Sequence, residues 1–138
     1  MNMLRIVIAL VLGLLIGGAV NMGLIMLGAG VIPAPEGVDV TDSESIANAM
    51  HLFQPKHFLF PFLAHAVGTL VGAVAGHLIA GSHRNLVAYA IGGLFFAGGI
   101  AAATMIPAPV WFIVVDLAFA YFPMAAVATQ IGFKIRSN

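Results

Sequence analysis

Two side chains of this 138-residue chain could do chemistry inside a membrane: Asp116 and His65. Each interrupts a long apolar run. A carboxyl facing lipid is costly, so Asp116 must turn towards protein or water. Counting along the helices puts Asp116 about one and a half turns, and His65 about two turns, from the outer ends of their spans. Their depths match, so the reading pairs them. Asn21 lies somewhat deeper on the first span, and Thr104 lies near the outer end of the third. His65, Asp116, Asn21 and Thr104 are therefore expected as one polar cluster in the outer half of the molecule. A buried carboxyl alone prefers its neutral form, whereas one beside a protonated imidazole ionises. Such a pair can hold or pass a proton, or lock two helices in register.

The remaining histidines point to less. His51 and His57 are expected at the outer surface and His83 in a loop at the opposite, cytoplasmic end. His77 follows His65 by about 120° of helix, so the two do not share a face. A haem needs axial ligands that face each other, which two histidines on one helix cannot supply within one subunit. No spacing matches a metal motif. No cofactor and no metal are expected. The chain has no cysteine, which removes disulfides and thiol chemistry.

The elements that must position these residues are read from hydropathy. Hydrophobic residues make up 62% and charged residues 7%. Residues 6–35, 57–83, 85–115 and 117–133 carry no Asp, Glu, Lys or Arg. A bilayer core takes about 20 apolar residues as a helix. The fold is expected to be all-α, an integral membrane bundle of four transmembrane helices in one domain, 1–138. The helices are placed at about 4–30, 58–80, 86–105 and 110–133, with an external segment 31–57. Within that segment, residues 42–53 read as a short amphipathic surface helix between the first two spans. Thr41 and Glu44 have capping-box spacing, and Ile46, Met50 and Phe53 mark the apolar face.

Gly68, Gly72 and Gly76 form a stripe on the second span, and Gly13 and Gly17 form one on the first. Glycines at this spacing let two helix backbones approach closely. Gly92 and Gly99 offer the same on the third. Pro123 lies inside the fourth span, where it removes a donor from the Phe119 carbonyl and should kink the helix. Ala120, Val127 and Gln130 continue the Asp116 stripe beyond it.

Charge sets the orientation. Arg5, Arg84, Lys134 and Arg136 fall on one side, and Lys56 falls on the other beside Glu36, Asp39, Asp42 and Glu44. The positive side faces the cytoplasm, so both termini are expected there. The N-terminal run is longer than a signal-peptide core of 7–15 residues, so it reads as a retained anchor. Net charge is zero and no basic patch is visible, so no nucleic-acid partner is expected.

Three stretches also look familiar: PAPEGVDVTD (33–42), MHLFQPKHFLFPFLAHAVGTLVGA (50–73) and PAPVWFIVVDLAFAYFPMA (107–125). They resemble a group of small four-helix bacterial membrane proteins for which no activity is known. The resemblance implies a bacterial inner (plasma) membrane protein and assigns no role to any residue.

Three function classes follow. An accessory or structural subunit, or assembly factor, of a membrane complex needs only the glycine stripes and surface helix as contact faces, and ranks first. A small oligomeric transporter or channel-like protein would use the His65–Asp116 cluster. A membrane enzyme on a lipid or quinone-like substrate ranks last, because no nucleophile or metal set supports the pair. The partners expected are membrane lipids, with further copies of the chain or other membrane subunits. The orientation is checked by placing single cysteines at Ser43 and Ser82. They should react with a membrane-impermeant reagent from opposite sides, and reaction of both from one side would contradict four spans.

Overall fold

The computed structural model describes residues 2–138 and is all-helical, with no strand among those residues. α1 spans Asn2–Val31 and α2 Ser43–Asn48. Two short 3-10 turns, Met50–Leu52 and Pro55–Phe58, lead into α3, Leu59–Ile79. α4 spans Arg84–Met105, α5 Val110–Phe119 and α6 Phe122–Ser137. Four stretches are long and apolar enough to cross a membrane: Asn2–Val31, Pro55–Ile79, Arg84–Met105 and Val110–Ser137. The protein is a multi-pass membrane protein built as a helix bundle. Residues 31–57 cover its loop end. Arg5, Arg84, Lys134 and Arg136 mark its arginine end.

α3 is the hub. It packs against α1, α4 and α6, while α1 otherwise touches mainly α4. The contact with α1 is backbone to backbone. A methyl group at Gly72 would stand 2.6 Å from the Gly13 carbonyl, and one at Gly68 would stand 2.9 Å from the Gly17 carbonyl. Gly76 faces Ile91, Val87 and Ala9. All five glycines are buried, and their lack of side chains is what permits the approach. Towards the arginine end, Ala9, Ala73, Ala80, Val87, Ala88, Ile91 and Ala128 close into a packed core.

The fourth span is broken rather than kinked. Ala120 still donates to Asp116 (2.9 Å), and the next helix resumes with Ala125 donating to Tyr121 (2.9 Å). Pro123 sits in the first turn of α6, where a missing N–H costs nothing. Between the two helices, Tyr121 leaves helical geometry, at φ −121° and ψ −80°. The break alters the stripe expected beyond Asp116. Ala120 is buried, but Val127 and Gln130 are exposed.

The surface helix is shorter than 42–53. Six residues form α2, followed by a single 3-10 turn. Its cap also differs from the reading. Asp42, not Thr41, accepts from the backbone N–H groups of Glu44 and Ser45, both at 3.2 Å. The Thr41 hydroxyl and N–H instead bond Asp39 Oδ1 at 2.6 and 2.9 Å. Those bonds hold the Asp39 carboxyl below its usual range, the hydroxyl contributing most. Gly37, at φ +82°, makes the turn that starts this segment.

Gly72→Leu should separate α1 from α3 and cost at least about 2 kcal/mol, as overpacking of a filled interface does. Gly18 has open space around it, so Gly18→Leu should leave the melting temperature in detergent unchanged. Equal melting of the two variants would contradict the interface.

Candidate functional site

Asp116 lies on the last turn of α5 and is 5% exposed. Its Oδ1 is 2.8 Å from His65 Nδ1 on α3. Its Oδ2 accepts from the Tyr121 hydroxyl at 3.0 Å. Both carboxylate oxygens are thus bonded, one from α3 and one from the residue in the helix break. The His65 ring stacks on the Tyr121 ring, centroids 5.9 Å apart and planes 28° apart. With the carboxylate as acceptor, Nδ1–H of His65 donates and fixes the tautomer. Nε2 then has no partner among the described residues.

Tyr121 carries no signal by spacing alone. Five residues after Asp116, it would point about 140° away on a continuous helix. The break turns it back. Gly99 makes room for it, since any side chain there would run into the phenol ring. Phe96 meets the ring edge-on at 5.9 Å. The informative signal was Pro123, whose consequence is a new face for the residues before it.

The other two expected members do not join. Thr104 is exposed and its hydroxyl bonds the Ala101 carbonyl at 2.6 Å. A threonine on a helix satisfies itself this way, so depth alone did not place it. Asn21 is half-buried with its Cβ against Gly68. It belongs to the α1–α3 contact and makes no hydrogen bond to His65 or Asp116 among the described residues.

His65 is only partly covered, with 26% of its side chain exposed. It and Asp116 line a chamber of about 630 Å³ in the loop-end half. Ile25 of α1, Phe58 at the end of the 3-10 turn before α3, Ala102 of α4 and Phe112 of α5 form its apolar walls, and α2 and the turn after it contribute Ile46 and Met50. Glu36 and His57 are the further polar groups at its border. His57 is tied down, its Nδ1 accepting the Gln54 N–H at 2.8 Å. The apolar face expected on the surface segment is therefore used on the chamber. Chambers of roughly 300–1,000 Å³ with apolar walls and few polar groups suit small molecules.

A buried histidine at the arginine end carried no weight in the sequence reading. His77 is fully buried. Its Nε2 lies 3.2 Å from Asn85 Oδ1, and its Nδ1 has no partner. The edge of its ring contact with Phe133, and the lack of a side chain at Gly132, fit it between α3 and α6. Thr69, between the two histidines, also keeps a buried hydroxyl without a partner. His51 and His83 are exposed. Among the described residues no three His, Asp or Glu side chains converge as metal ligands.

Chemically, the site presents an imidazole held by a carboxylate at the wall of an apolar chamber. It can donate or accept one hydrogen bond and relay a proton. No serine or threonine hydroxyl bonds His65 among the described residues. No protein-family model, curated protein or solved structure matches this chain.

A double-mutant cycle tests the buried bonds. Tyr121→Phe and His65→Gln should each lower unfolding stability by about 0.6–1.7 kcal/mol, the range for hydrogen bonds within membranes. Asp116→Asn should make the two losses small, because their shared acceptor has changed. Additive losses in all backgrounds would contradict a common carboxylate.

Proposed function

We infer that this protein binds an apolar molecule bearing a hydrogen-bonding head, such as a lipid or a quinone-like compound. The observation that carries this reading is the apolar chamber that runs to His65 and Asp116. The walls would cover the apolar body, and His65 Nε2 would bond the head. Residues of the 31–57 segment line the chamber, so the segment would help retain the ligand. The core at the arginine end is packed by small apolar residues, which suits holding more than conducting. Catalysis ranks behind binding, because the pair has no nucleophile beside it. Transport in the transporter-like sense would require the packed half to open.

The positive arginine end supports a cytoplasmic placement of both termini in a bacterial inner membrane, with the chamber in the outer leaflet. A second reading, as an accessory subunit of a larger assembly or an oligomer, is supported by α1. Its outward glycines Gly18, Gly23 and Gly30 have open space, beside exposed Leu15, Met22 and Met26. The two readings are compatible, since a subunit can carry a ligand.

Protein extracted with its surrounding lipid should carry one apolar, head-bearing molecule in stoichiometric amount, seen by native mass spectrometry. Ala102→Trp, which fills the chamber, should remove it. Asp116→Asn should weaken its retention about tenfold, the loss of one charge-assisted bond. Wild-type protein carrying only the bulk lipid mixture, in the same ratio as Ala102→Trp, would overturn the binding reading.

A further inference from the structure

The arginine end carries a different set of groups. Arg5 Nε donates to the Ile79 carbonyl at 2.7 Å. Arg84 donates to Ala80 at 3.2 Å and to Gly81 at 3.3 Å. Arg136 donates to Leu78 at 3.1 Å. α1 and α6 thus each send a guanidinium group onto the last carbonyls of α3, which have no helical partner of their own, and Arg84 of α4 bonds the two carbonyls just beyond its end. The positive charges also suit that end of the helix dipole.

These carbonyls leave the cations far from satisfied. A guanidinium has five N–H donors, and Arg5 uses one while Arg84 uses two. No acidic side chain lies at this end, since Glu36, Asp39, Asp42 and Glu44 are at the loop end and Asp116 is in the chamber. Among the described residues the one ion pair is His65–Asp116.

A groove of about 380 Å³ runs between α1 and α4, lined by the residues that follow Arg5 and flank Arg84 in sequence. Ile6 and Leu10 form one wall, and Leu86, Val87 and Ala90 the other. His83 also lines it, held in a left-handed backbone conformation at φ 50°, which is uncommon for a residue other than glycine. Arg5 precedes Ile6 and Arg84 follows His83 in sequence, and the two side chains converge on Gly81, two residues before His83: Arg84 donates to its carbonyl, and Arg5 Cδ would stand 3.1 Å from a methyl group placed on it.

We propose that this groove is a site for one anionic phospholipid, with an acyl chain along the apolar walls and its phosphate against Arg5, Arg84 and His83. An anionic headgroup matches three unopposed cationic or protonatable groups. A zwitterionic one would bring an ammonium with no carboxylate to meet it. The apolar groove distinguishes a lipid from free phosphate, which would gain nothing from Ile6, Leu10 or Ala90. The site is independent of the chamber and survives if the chamber reading fails.

The test uses the full chain in detergent, with equimolar phosphatidylglycerol and phosphatidylcholine added and retained lipid counted by native mass spectrometry. The wild type should retain one phosphatidylglycerol in preference to phosphatidylcholine. Arg5→Gln with Arg84→Gln should weaken that retention about thirtyfold, from two lost charges near the surface. Ala90→Phe fills the groove and leaves every cation in place, and should lose the same lipid. It decides the matter if the arginine variant does not fold. Lys134→Gln, on α6 away from the groove, should keep it. Equal retention of the two lipids by the wild type would overturn the site. So would a preference that survives Ala90→Phe, an equal loss with Lys134→Gln, full displacement by inorganic phosphate, or a protein-sized occupant.

Discussion

A carboxylate inside an apolar bundle has to be bonded on both oxygens, and the way Asp116 meets that demand organises half of this molecule. A buried charge without partners costs several kcal/mol, more than any single packing contact returns. His65 supplies one bond from the hub helix and Tyr121 the other from within the helix break. The break is what allows residues five apart on one chain segment to meet. It in turn depends on Pro123, which needs no donor in the first turn of α6. Gly99 then has to be small, because the Tyr121 ring occupies the space a side chain would take.

The two halves of the bundle differ because their contacts differ. Around Gly13, Gly17, Gly68 and Gly72 the backbones of α1 and α3 touch, and alanines fill the core towards the arginine end. Nearer the loop end the walls change to Phe58, Phe112 and Ile25, and the space between the helices is left to the chamber. Large side chains hold helices apart as surely as glycines bring them together. The arginines cap α3 at its far end, so the hub is fixed at the arginine end while the half that could admit a ligand lies at the other.

Much of this was legible because membrane helices obey few rules. Uncharged runs gave the four spans, and residue spacing gave the glycine contact, since only a missing Cβ permits that approach. Asp116 and His65 were paired by depth, which helix rise converts directly from sequence. Depth says nothing of direction, and Thr104 shows the limit: its hydroxyl bonds the carbonyl of Ala101 and its face is exposed. Tyr121 was hidden because a helical wheel assumes an unbroken helix. His77 was hidden for another reason. Its angle from His65 was read correctly, but α6 also packs on α3, so a different face of the hub is buried as well. The chamber could not be read at all, because a cavity is set by how walls diverge and not by any one residue.

The central claim is that the chamber holds an apolar molecule with its polar head on His65. Its most direct measurement is a crystal structure of protein grown in a lipidic phase without prior removal of bound lipid. The arrangement described here predicts continuous density between α1, α4 and α5, ending within hydrogen-bond distance of His65 Nε2. It also predicts that the Asp116 bonds to His65 and Tyr121 are intact. Density showing the chamber collapsed, with Phe58 and Phe112 filling it or His65 turned away from Asp116, would contradict it.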